Sequence, residues 1–164
     1  LVACESIVKG LIQLGLMKGD PKAAVEAGAH TVFFQCGLGH MMGLDVHDME
    51  NLGEEYVGYT EDLKQSTEFG FKSLRLGKAL EPGMVLTVEP GIYMIPELIE
   101  LRKSQKMHLE FINYDKVESY KNFGGIRIED DFLITSQGSR LLGDSLPTAS
   151  NEIEEFRMSK VEAN

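Results

Sequence analysis

Apolar side chains recur every three or four positions from the first residue: Leu1, Cys4, Val8, Leu11, then Leu14 or Ile12. That spacing lines one face of a helix. It predicts a helix over "LVACESIVKGLIQLG" that ends near "MKGD", with Gly19 as the stop. Asp20 and Pro21 then read as a cap and a first helical residue, opening a second helix over "PKAAVEAGAHTVFF". The pattern breaks at residues 37–50, "GLGHMMGLDVHDME". Each of its three glycines would cost a helix about 1 kcal/mol, so the stretch is expected to be turn and strand. Leu44 and Val46 alternate with Asp45 and His47, as on a strand.

Residues 51–80 are polar and mixed, and read as a solvated excursion. "EPGMVLTVEPGIY" is a β-branched run between two Pro-Gly turns, a strand on which Val85, Thr87 and Glu89 share a face. Residues 96–123 read as an inserted, partly helical segment. "GGIRIEDDFLIT" predicts one further strand, with Ile126 and Ile128 on one face and Arg127, Glu129 and Asp131 on the other. The tail "TASNEIEEFRM" predicts a closing helix capped by Ser150 or Asn151. These elements define an α+β fold, an antiparallel sheet with flanking helices.

The 164 residues suffice for one domain with a core, and the 43% hydrophobic and 26% charged fractions are ordinary for a globular chain. A formal net charge of −10 opposes binding to nucleic acid or an anionic membrane surface. No apolar run approaches the length of a membrane span. Two cysteines without a CxxC pair favour a reducing, cytoplasmic setting over a disulfide framework. The opening helix is already in phase at Leu1 and has no capping residue before it, which predicts further residues upstream. Residues 1–164 are thus expected to be the C-terminal portion of something larger.

Three residues carry candidate chemistry, each with a plainer alternative. His40 lies in a glycine-rich turn, either as a hydrogen-bonded structural histidine or as a ligand. Glu89 ends an apolar strand before Pro90; it is either an exposed strand end or a buried carboxylate that must find a cation or a donor. Glu129, among Ile126, Ile128, Phe132 and Leu133, repeats the puzzle, with an ion pair to Arg127 as the alternative. Together, one His and two Glu form a nitrogen and oxygen donor set suited to Mn²⁺, Zn²⁺, Co²⁺ or Fe²⁺.

"GLGHMMGLDVHDME", "EPGMVLTVEPGIY" and "GGIRIEDDFLIT", in this order, closely resemble the C-terminal half of the pita-bread metallopeptidases. The nearest branch by this resemblance is Xaa-Pro aminopeptidase, with prolidase next. The resemblance implies two divalent metal ions, manganese first, held by two Asp, one His and two Glu. His40, Glu89 and Glu129 match the metal-binding positions, Glu129 as the residue that bridges both ions. His47 matches a histidine that contacts substrate near the scissile bond, and Arg127 an arginine that orients carboxylate ligands. The implied reaction releases the N-terminal residue of a peptide with proline in second position, through a hydroxide shared between the ions, with Glu89 as proton acceptor and donor. A homo-oligomer is expected of the intact protein.

Two departures from the family pattern stand out. Both aspartate ligands fall upstream of the matched region, and the early acids Glu5 and Asp20 lie on or between helices, so the chain as given is expected to be an inactive fragment. Cys36 stands where many relatives carry a histidine lining the substrate pocket, and reads either as an altered substrate contact or as a small buried apolar residue. His30 and His108 read as ordinary helix and insertion residues, and Met41 and Met42 as packing beneath the motif. Prolidase chemistry on dipeptides, or a non-catalytic binding protein of the same fold, are the alternatives. Retention of His40, Glu89 and Glu129 speaks against the second.

Overall fold

The computed structural model describes residues 1–48, 50–74 and 76–161. Helix α1 spans Val2–Gln13 and buries Cys4, Val8 and Leu11, the face expected from the periodicity. Leu1 and Leu14 are exposed, so the buried stripe is shorter than its sequence pattern. The helix also ends earlier than Gly19. Gly15 takes a left-handed φ of 73°, and its N–H donates to the Ile12 carbonyl while that of Leu16 donates to Leu11. The first glycine able to adopt that conformation closes the helix. Helix α2, Pro21–Glu26, is capped as expected: the Asp20 carboxylate accepts from the Ala23 N–H at 2.9 Å. Gly28, at φ 73°, stops it six residues short of Phe34, and a 3-10 turn, Ala29–Val32, follows.

The core joins α1, α2 and the 3-10 turn to Phe33, Phe34, Met94, Ile99, Ile112, Tyr114 and Val117. Four of these come from the 96–123 segment, which folds as α4 (Pro96–Ser104) and α5 (Tyr114–Glu118) after α3 (Glu50–Val57) has formed within the polar 51–80 stretch. The insertion is therefore structural. The Asn113 N–H donates to Leu16 and the Lys18 N–H to Phe111, fastening it to the α1–α2 connection. A closing helix, α6 (Ser150–Val161), forms and leaves Phe156 and Met158 exposed, but it starts earlier than expected: Ser150 and Asn151 lie inside it and do not cap it, and the Ile153 N–H already donates to the Ala149 carbonyl. No helix among the described residues is long and apolar enough to cross a membrane.

The sheets are antiparallel throughout. One has the order β1 (Met41–Met42), β2 (Val85–Val88), β5 (Asp130–Thr135), β6 (Gly138–Leu141); the other pairs β3 (Gly91–Tyr93) with β4 (Gly125–Arg127). Alternation after Met42 does not make a strand: residues 43–47 bend, and Leu44 and Val46 point into solvent. The single strand expected over 124–135 is divided at Ile128 and Glu129, because its two ends pair with different partners. Val88 faces Asp130 and Gly91 faces Arg127, with two residues on each side between them. β2–β3 and β4–β5 thus form one continuous ribbon, interrupted where Glu89 stands opposite Glu129.

Candidate metal centre

Glycine lets the histidine loop lie against β2. The Glu89 N–H donates to the Leu38 carbonyl at 2.6 Å, and the Thr87 N–H to the His40 carbonyl at 3.0 Å. A Cβ at Gly39 would run into the Thr87 carbonyl oxygen, and one at Gly37 into that of Ser73. Side-chain-free positions are needed on both sides of Leu38 for this approach.

His40 and Glu89 are 7% and 8% exposed and meet at 3.2 Å, His40 Nε2 to Glu89 Oε1. On its other side, His40 Nδ1 lies 3.0 Å from the Met41 carbonyl oxygen, which can only accept. That bond puts a proton on Nδ1 and turns Nε2 toward the carboxylate. In the neutral ring, Nε2 is a lone-pair donor facing a carboxylate oxygen, and the pair is satisfied only with a proton or a metal cation between them. The Thr87 hydroxyl completes the frame, accepting from the His40 N–H at 3.0 Å and donating to Glu89 Oε1 at 3.0 Å.

Arg127 closes the far side. One guanidinium nitrogen pairs with Glu89 Oε2, Nε donates to the Tyr93 hydroxyl at 2.9 Å, and another nitrogen lies 3.7 Å from Cys36 Sγ. The alternative of an Arg127–Glu129 pair is not what forms: among the described residues Arg127 pairs with Glu89. Burial, followed by the charge of Cys36 when ionised, raises the Tyr93 phenol above its ordinary range and keeps it neutral. His47 is exposed, its ring tilted over that of His40 with centroids 4.2 Å apart. His40, His47, Glu89 and Arg127 line a polar pocket of about 230 Å³ with Cys36, Gly37, Gly39 and Ser73.

Five of the six residues singled out from sequence thus come together: Cys36, His40, His47, Glu89 and Arg127. Glu129 does not join them. It is exposed, not on the apolar surroundings its neighbours suggested, and Ile126 and Ile128 are exposed too. Among the described residues no group of three or more His, Cys, Asp or Glu is placed to hold a metal ion. Asp20 serves as a helix cap. Thr87 and Tyr93 were not singled out, although their spacing from Glu89, two back and four on, could have pointed to them. Ser73 left no signal.

The donor chemistry of the pair nevertheless suits a divalent cation: one oriented imidazole nitrogen and one buried carboxylate converge in a polar pocket. Residues 3–136 match the model of metallopeptidase family M24, and the chain belongs to that family. Among its relatives, the Xaa-Pro dipeptidase of Rattus norvegicus is 41% identical over 144 residues, 88% of this chain and 28% of that protein. A probable Xaa-Pro aminopeptidase of Botryotinia fuckeliana is 37% identical over 95% of this chain and 31% of its own length. In structure, Escherichia coli aminopeptidase P with the inhibitor Pro-Leu matches with a TM-score of 0.62 and 33% identity, over 97% of this chain and 28% of that one. A zinc-substituted form of the same enzyme, in complex with product, matches with a TM-score of 0.61. The fold is the pita-bread fold of aminopeptidase P, and the chain spans 28% of the rat relative.

Proposed function

We propose that residues 1–164 are the C-terminal portion of the catalytic domain of a metal-dependent peptidase that releases the N-terminal residue from peptides with proline in second position. One observation carries the reading: a buried imidazole nitrogen and a buried carboxylate oxygen face each other at 3.2 Å with the imidazole's other nitrogen already committed. His40 and Glu89 would hold a divalent ion, manganese first, and Glu129 would reach it or a second ion from the opposite strand of the ribbon. Such metals, when bound, polarise a carbonyl and supply a nucleophile at neutral pH.

The remaining roles belong to side chains. Glu89, anchored by Thr87, is placed to accept a proton at one carboxylate oxygen and return it to the departing amine. His47, at the open side above His40, donates to the peptide and holds the oxygen on which charge develops. Arg127 and Tyr93 fix the carboxylate plane. Free Cys4 and Cys36 fit the cytoplasmic setting proposed for it.

Dipeptidase activity is the second reading, favoured by the 41% identity to the rat Xaa-Pro dipeptidase. Both are tested by giving the intact protein, loaded with Mn²⁺, a Gly-Pro dipeptide and a Gly-Pro-Leu tripeptide. Cleavage of the tripeptide supports the aminopeptidase, and cleavage of the dipeptide alone the dipeptidase. Glu89→Gln should abolish both activities and lower bound metal, and removal of metal by a chelator should do the same to the parent protein. Hydrolysis that survives Glu89→Gln would remove the assignment.

A further inference from the structure

We propose that Thr87 is a positioning residue for the metal centre: its hydroxyl, rather than its shape, sets the spacing of His40 and Glu89 and with it the affinity for the ion. The inference rests on the metal reading above. It begins with an interruption in the backbone ladder. Met42 faces Val85 and Met41 faces Leu86, and the same register carried one residue further sets His40 opposite Thr87. Facing residues of a hydrogen-bonded antiparallel pair exchange two backbone bonds. One of them forms here, from the Thr87 N–H to the His40 carbonyl. The return bond is diverted, and the His40 N–H donates to the Thr87 hydroxyl at 3.0 Å. A side chain of β2 has taken the place of its backbone where the site begins.

Chemistry fixes the direction of both bonds through this hydroxyl. A backbone N–H can only donate, so the oxygen accepts from His40 and keeps its one proton for Glu89 Oε1, at 3.0 Å. An ionised carboxylate can only accept, so the two roles match. A hydroxyl that already accepts a bond is polarised into a better donor, and a bond to a charged oxygen is stronger than one to a neutral oxygen. Thr87 is 1% exposed, so water does not compete for either bond. Arg127 grips the same carboxylate at Oε2, but Thr87 is the residue that reaches both ligands. Oε1 has lone pairs enough for this hydroxyl and for an ion shared with His40 Nε2. One oxygen atom thus ties the main chain of one ligand to the carboxylate of the other.

Two substitutions separate the hydroxyl from the shape. Thr87→Val keeps the β-branched outline and removes the hydroxyl, leaving the buried His40 N–H without a partner. Thr87→Ser keeps the hydroxyl and removes the methyl group. The test is a calorimetric titration of the metal-stripped intact protein with Mn²⁺. Thr87→Val should bind roughly tenfold to a hundredfold more weakly than the parent, the usual cost of losing a group that orients a ligand. Thr87→Ser should recover most of that loss. A residue that acted only by packing would give the reverse order, with Val binding more tightly than Ser. Thr87→Ala, which has neither group, serves if Thr87→Val does not fold, and should also fall below Ser. Val, or Ala in its place, binding as tightly as Ser overturns the positioning role and leaves the metal reading standing. Failure of the parent and the variants alike to bind Mn²⁺ would instead overturn the metal reading, and the positioning role with it.

Discussion

His30 should make this protein acid-sensitive for a reason unconnected with its metal site. The residue is 1% exposed at the centre of the core, edge-on to Phe71 with ring centroids 5.1 Å apart, and its Nδ1 has no hydrogen-bond partner. Burial above all, with the positive charge of His108 adding to it, lowers its pKa from 6.5 to about 4. The folded protein therefore keeps the ring neutral where the unfolded chain would already bind a proton. Stability from this group is full above pH 6.5, falls as pH drops through 6.5, and levels off below the folded value. The gap between the two states corresponds to about 3 kcal/mol, of which about 2 kcal/mol is lost by pH 5. Urea unfolding of the parent and of His30→Leu at pH 7.5, 6 and 5 isolates the contribution. The parent should lose about 2 kcal/mol more than the variant over that span, whatever their offset at pH 7.5. Parallel losses would refute the reasoning, as would an NMR titration in which the His30 ring protonates near pH 6.5.

Two further substitutions test the frame around the site. Gly39→Ala drives a methyl group into the Thr87 backbone and should cost about 1–3 kcal/mol by urea unfolding, with Mn²⁺ affinity falling as His40 is pushed from Glu89. A fully stable variant with normal metal binding would deny that close approach. Leu11→Ala empties a position 1% exposed under α1 and should cost about 2–5 kcal/mol, read from the urea midpoint. A loss well under 1 kcal/mol would remove α1 from the core.

Local signals in the sequence proved legible where a single residue decides the outcome. The Asp20-Pro21 cap and the α1 face formed as their chemistry dictates. Gly19 was a reasonable helix stop, but the chain meets Gly15 first, and a left-handed residue acts wherever it first falls. What periodicity could not convey was pairing. "GGIRIEDDFLIT" alternates without a break, yet its strand divides because β3 and β2 take different ends of it. β6 escaped notice because Gly138, Ser139 and Arg140 carry no apolar alternation, and its ladder with β5 is made by the backbone. His40 and Glu89 stand out in the sequence because a histidine among glycines and a carboxylate ending an apolar strand are local signals, whereas Cys36, His47 and Arg127 are picked out only by the family resemblance. The exposure of Glu129 depends on what lies across its strand, and no pattern of neighbours encodes that.

The interrupted ribbon has a consequence for the order in which the molecule assembles. Glu89 and Glu129 face each other only after residues 94–124, α4 and α5 included, have been folded back on themselves. Compared with a tight hairpin of four residues, closing that excursion costs about 2 kcal/mol more chain entropy before any cross-strand bond repays it. The site therefore belongs to the slow, high-contact-order part of folding, behind the α1–α2 hairpin, whose contacts are near in sequence. An ion that needs both strands has no purchase on the chain until that closure has happened. Its stabilisation should consequently appear as slower unfolding of the finished protein and leave the rate of folding almost unchanged.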